Sequence, residues 1–218
     1  MPARTDPTAP RTGFDPATFP QRQLYNLINS IVAPRPIAWV STRSAAGIAN
    51  VAPHSYCMIV CPDPPIIAFS STGAKDTLRN VRATGEFVFN QVPEWLAEAM
   101  NLTSGDFPPD ISEFDWAGLT PVPSDVVGAP RVGESPVAME CMLLDIQEFG
   151  HGPSHLIIGE VVHIAIDPAF IADGILDVTQ TRPVGRLARI AYSHTREFYA
   201  MPRPTYQGLL DADAQPKR

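Results

Sequence analysis

VAMECMLLDIQEF (137–149) and SHLIIGEVVHIAI (154–166) are two long runs separated only by Gly150-His151-Gly152-Pro153. Both are rich in β-branched and long apolar residues, and two glycines and a proline punctuate the gap. The stretch therefore reads as a long β-hairpin, which makes antiparallel neighbours without a crossover helix. Upstream, Glu86-Phe87-Val88-Phe89-Asn90 and Ile66-Ile67-Ala68-Phe69-Ser70 read as shorter strands. The second is apolar nearly throughout and is expected to be buried on both faces. Pro34-Arg35-Pro36 fixes an extended entry into a strand over 37–42. A turn at 45–47 leads into 48–61, read as one strand interrupted near Pro53 and ended by Pro62-Asp63-Pro64-Pro65. One more strand is expected over 186–192.

Helices are fewer. Leu24, Leu27, Ile28 and Ile31 recur at helical spacing before Pro34 stops the pattern, and short helices are expected over 75–83 and 94–102. Strands outnumber helices, and the regular alternation of a doubly wound parallel sheet is absent. The expected fold is mainly β: a closed or nearly closed antiparallel barrel with a few short peripheral helices, because closure removes unpaired edges. A flexible arm over 1–20, one domain over 21–206 and a flexible tail over 207–218 complete the organisation. Residues 103–136 are punctuated by Pro, Gly and Asp over more than an ordinary connection, which suggests a lid or an interface arm.

With 218 residues the chain can bury a sizeable core without disulfides or a structural metal. Its net charge of −7, with no basic run, argues against a nucleic-acid surface. Cys57, Cys61 and Cys141 are odd in number and lie in strand-like contexts, as expected for buried free thiols in a reducing compartment. No apolar stretch approaches the ~20 residues of a membrane span, and residues 1–19 lack the apolar core of a signal peptide. A cytoplasmic protein is the expectation.

Ser70-Ser71-Thr72-Gly73-Ala74-Lys75-Asp76-Thr77-Leu78-Arg79-Asn80 joins a strand to a helix, and Lys75 stands out. Of sixteen basic residues only Lys75 and Lys217 are lysines. Hydroxyls, a helix N-terminus and a compact ammonium together suit a phosphate. An ordinary turn with an exposed lysine has the same sequence, so both readings stand at this point. The string is not a Walker loop, and no G-x-G-x-x-G follows the first strand. Asn50-Val51-Ala52-Pro53-His54-Ser55 offers polar side chains and small residues that admit a flat ring, with Pro53 expected to break the ladder. The five histidines form no zinc constellation, and no G-x-S-x-G elbow supports a hydrolase.

Taken in order, these segments resemble the flavin reductase-like family of FMN-binding split barrels, which includes flavoredoxins and the reductase partners of flavin-dependent oxygenases. The anchors are PRPIAWVST (34–42), NVAPHS (50–55), Pro64-Pro65 and KDTLRN (75–80), with GLTP (118–121), ESPV (134–137) and IGEVV (158–162) following. The resemblance implies a Greek-key barrel that forms a homodimer, with FMN near the interface. It also implies roles for residues. Ser41 and Thr42 would run along the flavin and ribityl chain, and Asn50, Ala52 and Ser55 would line the same groove. Ser70, Ser71, Lys75 and Thr77 would hold the phosphate, and His155 would stand near the ligand. Trp39 either stacks near the ring or packs in the core. The implied activity is hydride transfer from NAD(P)H to flavin N5, with no catalytic acid or base and no metal. A flavin-dependent oxygenase or another acceptor would take the electrons; the alternative is a flavoredoxin-like carrier that does not itself oxidise NAD(P)H. Two departures stand out: Ala46-Gly47 replaces Asp-Gly, and Arg186-Leu187-Ala188-Arg189…Tyr192 replaces a pattern with two glycines. The second change puts side chains where the backbone was permissive, which alters the space for a second substrate.

Overall fold

The structure, a computed structural model, describes residues 6–211. Residues 1–5 of the expected arm and 212–218 of the expected tail, with Lys217, lie outside the described residues. The chain runs α1 (Gln21–Ile31), β1 (Ala38–Arg43), β2 (Ala49–His54), β3 (Cys57–Pro62), β4 (Pro65–Thr72), α2 (Asp76–Thr84), β5 (Glu86–Asn90), α3 (Ala97–Leu102), α4 (Glu113–Ala117), β6 (Pro121–Val122), β7 (Arg131–Val132), β8 (Val137–Phe149) and β9 (Ser154–Ile166). Two strand pairs follow, β10 (Ile171–Ala172) with β11 (Ile175–Leu176) and β12 (Val184–Arg186) with β13 (Tyr192–His194); α5 (Val178–Thr181) lies between them. α6 (Tyr206–Asp211) closes the described chain. The tail expected from residue 207 thus begins as helix.

The main sheet has seven strands in the order β2-β1-β5-β8-β9-β4-β3, and every pairing is antiparallel. The β8–β9 hairpin forms its spine, as its sequence indicated. β2 and β3 are consecutive in the chain yet sit at opposite ends of the sheet. The sheet must curl for a two-residue link to join its ends, and β2 accordingly approaches β4. The result is a barrel left open along one seam, mainly β with short peripheral helices.

Residues 48–61 are therefore two strands rather than one. The break falls at Ser55-Tyr56, not at Pro53, which pairs with Trp39 inside an unbroken register. Pro53 is tolerated because β2 is an edge strand, where a missing N–H leaves no central ladder bond unmade. The expected strand over 186–192 is instead a turn over 187–191, with Arg186 ending β12 and paired to Tyr192 at the start of β13. Cys57 and Cys61 are free but only partly buried, and Cys141 is buried. A register shift between Ile59 and Cys61 also places the first two thiols on opposite faces of β3, where even spacing alone puts them on one.

The barrel interior packs Phe69, Phe87, Leu78 and Ile157 among the strands and α2, with Phe69 and Phe87 edge to face at 5.3 Å. A second cluster joins Trp39, Met100 and Phe114 beneath α3 and α4. Trp39 is fully buried there and donates to Thr103 Oγ1 at 2.9 Å, so it is a core residue. Residues 103–136 are held against the sheet. Asn90 donates to Trp39 O and Ser41 Oγ while accepting from Val132 N–H, and buried Glu140 accepts from the N–H groups of Asp125, Val126 and Val127. Among the described residues no helix is long and apolar enough to cross a membrane.

Candidate functional site

Where the sheet curls, the C-terminal end of β4 and the N-terminal turn of α2 face β2 across a cavity of about 470 Å³. β4 delivers Ser70, Ser71 and Thr72 to its wall. Gly73 then turns the chain at φ +76°, a conformation that other residues rarely adopt, and its N–H is fixed on Pro153 O of the long hairpin. Lys75, in extended conformation, caps α2, whose first turn presents Asp76, Thr77 and Arg79 to the cavity. From β2 come Asn50, Ala52, Pro53, His54 and Ser55. The segment 103–107 and Glu113 of α4 form the remaining side, with Tyr25 of α1 and Tyr56 at the rim.

Seven of the ten residues expected at the site thus meet on one cavity: Asn50, Ala52, Ser55, Ser70, Ser71, Lys75 and Thr77. Ser41, Thr42 and His155 do not line it. Ser41 is fully buried and donates to Pro130 O. Thr42 is equally buried and sits behind the wall, donating to Asn50 Oδ1 at 3.2 Å and accepting from Asn80 at 3.0 Å. β1 lies between β2 and β5, one strand in from the open seam. His155 stands opposite Ser71 in the β4–β9 ladder and is buried, with Nε2 3.4 Å from Glu148 Oε2.

A buried polar chain stiffens the wall. Asn50 donates to Glu113 Oε1 at 2.7 Å, and Val51 N–H donates to Glu113 Oε2 at 3.2 Å. Thr77 Oγ1 donates to Asn50 Oδ1 at 3.4 Å and lies 3.4 Å from His54 Nε2. Burial pushes the Glu113 carboxyl above the ordinary carboxylate range. Burial likewise pushes His54 down to about 4, with the Lys75 charge adding to the effect, so its imidazole is neutral at physiological pH. At the mouth, Lys75 Nζ lies 3.1 Å from Asp106 Oδ1, with both side chains exposed, and Arg79 is held by Asp76 and Ala74 O. Ser71 Oγ is fully buried without a hydrogen-bond partner.

Glu113, Asp106 and Phe107 are site residues that the sequence did not single out. They belong to the long 103–136 segment, whose length was the sole signal; nothing in its pattern says which acid turns inward. Arg79 stood inside the 70–80 string without an assigned role.

Residues 32–178 match the family model described as the flavin reductase like domain. An uncharacterized protein of Halalkalibacterium halodurans is 38% identical over 201 residues, spanning 88% of this chain and 96% of its own. Nitrilotriacetate monooxygenase component B from Bacillus cereus superposes with a TM-score of 0.86 at 32% identity, covering 89% of this chain and all of that one. The 2-nitrobenzoate 2-nitroreductase of Pseudomonas fluorescens gives 0.83 at 32%, covering 89% and 98%. Flavoredoxin of Desulfovibrio vulgaris (Miyazaki F) gives 0.70 at 28%, covering 78% and 91%.

Proposed function

The chain belongs to the flavin reductase-like family, and from that premise we propose that it is an FMN-binding oxidoreductase that accepts hydride from NAD(P)H. The observation that carries the reading is the convergence of seven expected contact residues on one cavity, whose volume lies in the ~300–1,000 Å³ range of small-molecule sites. The residues present fit the cofactor. Ser71 Oγ is a buried hydroxyl without a partner on the cavity wall, a group that costs stability until a ligand oxygen satisfies it. Ser70, Thr77 and Lys75 surround the same corner and suit a phosphate as donors and point charge.

In this reading Ser70, Ser71, Lys75 and Thr77 hold the phosphate, and Lys75 exchanges Asp106 for it. Asn50, Ala52 and Ser55 border the ring and ribityl chain, and Glu113 keeps the Asn50 amide in one orientation. Bound FMN supplies a two-electron acceptor at flavin N5. The protein's part is to place the ring and shield one side of it. A flavin-dependent oxygenase is the acceptor favoured by the likeness to a monooxygenase component. A second copy of the chain, seated against exposed Met58 and Ile59 of β3, completes the proposed assembly.

The likeness to flavoredoxin favours a second reading, an FMN electron carrier that does not itself oxidise NAD(P)H. One experiment separates them: the visible flavin spectrum of the FMN-loaded protein, recorded anaerobically before and after adding NADH or NADPH. Bleaching is expected. A flavin that stays oxidised with both donors overturns the reductase reading and leaves the carrier, and a protein that binds no FMN overturns both.

A further inference from the structure

Next to the main cavity, and sharing Tyr25, Pro53, Ser55 and Ser104 with it, lies a smaller one of about 210 Å³. Its wall contains Arg35, Arg186 and Arg189 and no Asp or Glu. Among the described residues, none of these three arginines lies within ion-pair distance of a carboxylate. Three arginines without a carboxylate partner on the wall of one pocket, in a chain of net charge −7, need an explanation.

Arg35 is 7% exposed. Its terminal nitrogens donate to Asn29 O and Val32 O at 2.6 Å and to Leu187 O at 2.9 Å, while its Nε is buried with no partner. Arg186 is held over the Tyr192 ring, 4.4 Å from its centroid, and donates to Arg189 O. Arg189 is the unexpected one. Its φ is +54°, in the left-handed region where glycine is at home and a long side chain is strained. A tight turn alone calls for glycine there. An arginine held in that conformation at the edge of a pocket already lined by two others points to use of its charge.

We propose that this annex is an oxyanion subsite, taking the phosphate or carboxylate group of a second molecule whose other end enters the main cavity. Guanidinium forks match the planar or tetrahedral oxygens of either group, and the stacking of Arg186 on Tyr192 holds one fork ready before the ligand arrives. The proposal deepens the oxidoreductase reading, since it names the chemistry of the electron donor or acceptor. It rests on that reading only for the identity of the main-cavity occupant.

The test is isothermal titration of the full-length protein with ADP, carrying a pyrophosphate, and with benzoate, carrying one carboxylate, each with and without saturating FMN. Arg186→Gln and Arg189→Gly are the variants; glycine suits the backbone at 189, so folding is retained or improved. At least one of the two ligands is expected to bind, and each variant to weaken it about tenfold, as loss of a charged hydrogen bond predicts. Which ligand wins distinguishes phosphate from carboxylate as the source. Binding of neither ligand, or equal binding by wild type and both variants, overturns the proposal. Flavin absorbance in the same samples keeps the two readings apart. FMN bound with arginine-independent ADP and benzoate sinks the annex alone, and arginine-dependent binding without FMN sinks the main-cavity reading alone.

Discussion

Lys75 meets Asp106 across the cavity mouth, and both side chains are more than half exposed. Such a pair is worth at most about 1 kcal/mol, so a doubly charged phosphate displaces Asp106 at little cost. Lys75→Ala is therefore expected to weaken FMN several-fold more than riboflavin, which has no phosphate. Asp106→Asn, by freeing the ammonium, should strengthen FMN a few-fold and leave riboflavin alone. Quenching of flavin fluorescence measures all four affinities, and equal changes for the two ligands would refute the phosphate role. His54 yields a pH prediction. Its folded pKa of about 4 lies below the ordinary 6.5, so between those values the unfolded chain takes up a proton that the folded protein refuses. The stability this histidine contributes is complete above pH 6.5 and is lost as pH falls toward 4, on the order of a few kcal/mol. Urea unfolding of His54→Gln should show a shallower loss across that window than wild type. The 50–55 and 70–80 strings were legible at this scale because their chemistry is local. Glu113 was not, because its place at Asn50 and Val51 depends on how a distant helix packs. Ser41 and Thr42 were drawn to the site by a motif that says nothing of how deeply they are buried.

Gly159 shows how an element constrains a single position. It lies in β9 where a Cβ would fall 2.5 Å from the Phe87 ring, and Phe87 is fully buried against Phe69. Gly159→Ala must push that ring into a filled core. We expect a destabilisation of about 1–3 kcal/mol, read as a lower urea midpoint with an unchanged slope. An unaltered midpoint would mean the barrel interior is looser than its packing indicates. The long hairpin that houses this glycine was plain in the sequence, since two extended apolar runs around a Gly-Pro turn admit few other shapes. The boundary between β2 and β3 was hidden. Proline at 53 marks a strand that can tolerate a missing donor, not the end of one, and the chain changes partners at Ser55-Tyr56, where no breaker stands. The bulge that turns Cys61 away from Cys57 likewise leaves no trace in residue spacing.

A sheet whose first and last strands are joined by two residues has to close on itself, yet this one stops short and leaves β3 as an edge. That edge carries Met58 at 62% exposure and Ile59 at 77%, with Val60 and Tyr56 beside them also exposed. Unprotected apolar edges invite pairing with another chain, and a second copy is the occupant we propose. Tyr56 is also on the cavity rim and donates to Asn29 Oδ1 at 3.0 Å, so the edge and the cavity share a residue. Loss of the partner should therefore reach the ligand. Wild-type protein is expected to sediment at twice its 23.7 kDa chain mass, and Ile59→Lys to shift it toward monomer while its circular dichroism stays unchanged. FMN affinity should fall in step with the dimer fraction across a dilution series. A wild-type monomer at every concentration would defeat the assembly. A dimer that dissociates without any change in FMN affinity would instead show that each chain builds its cavity alone.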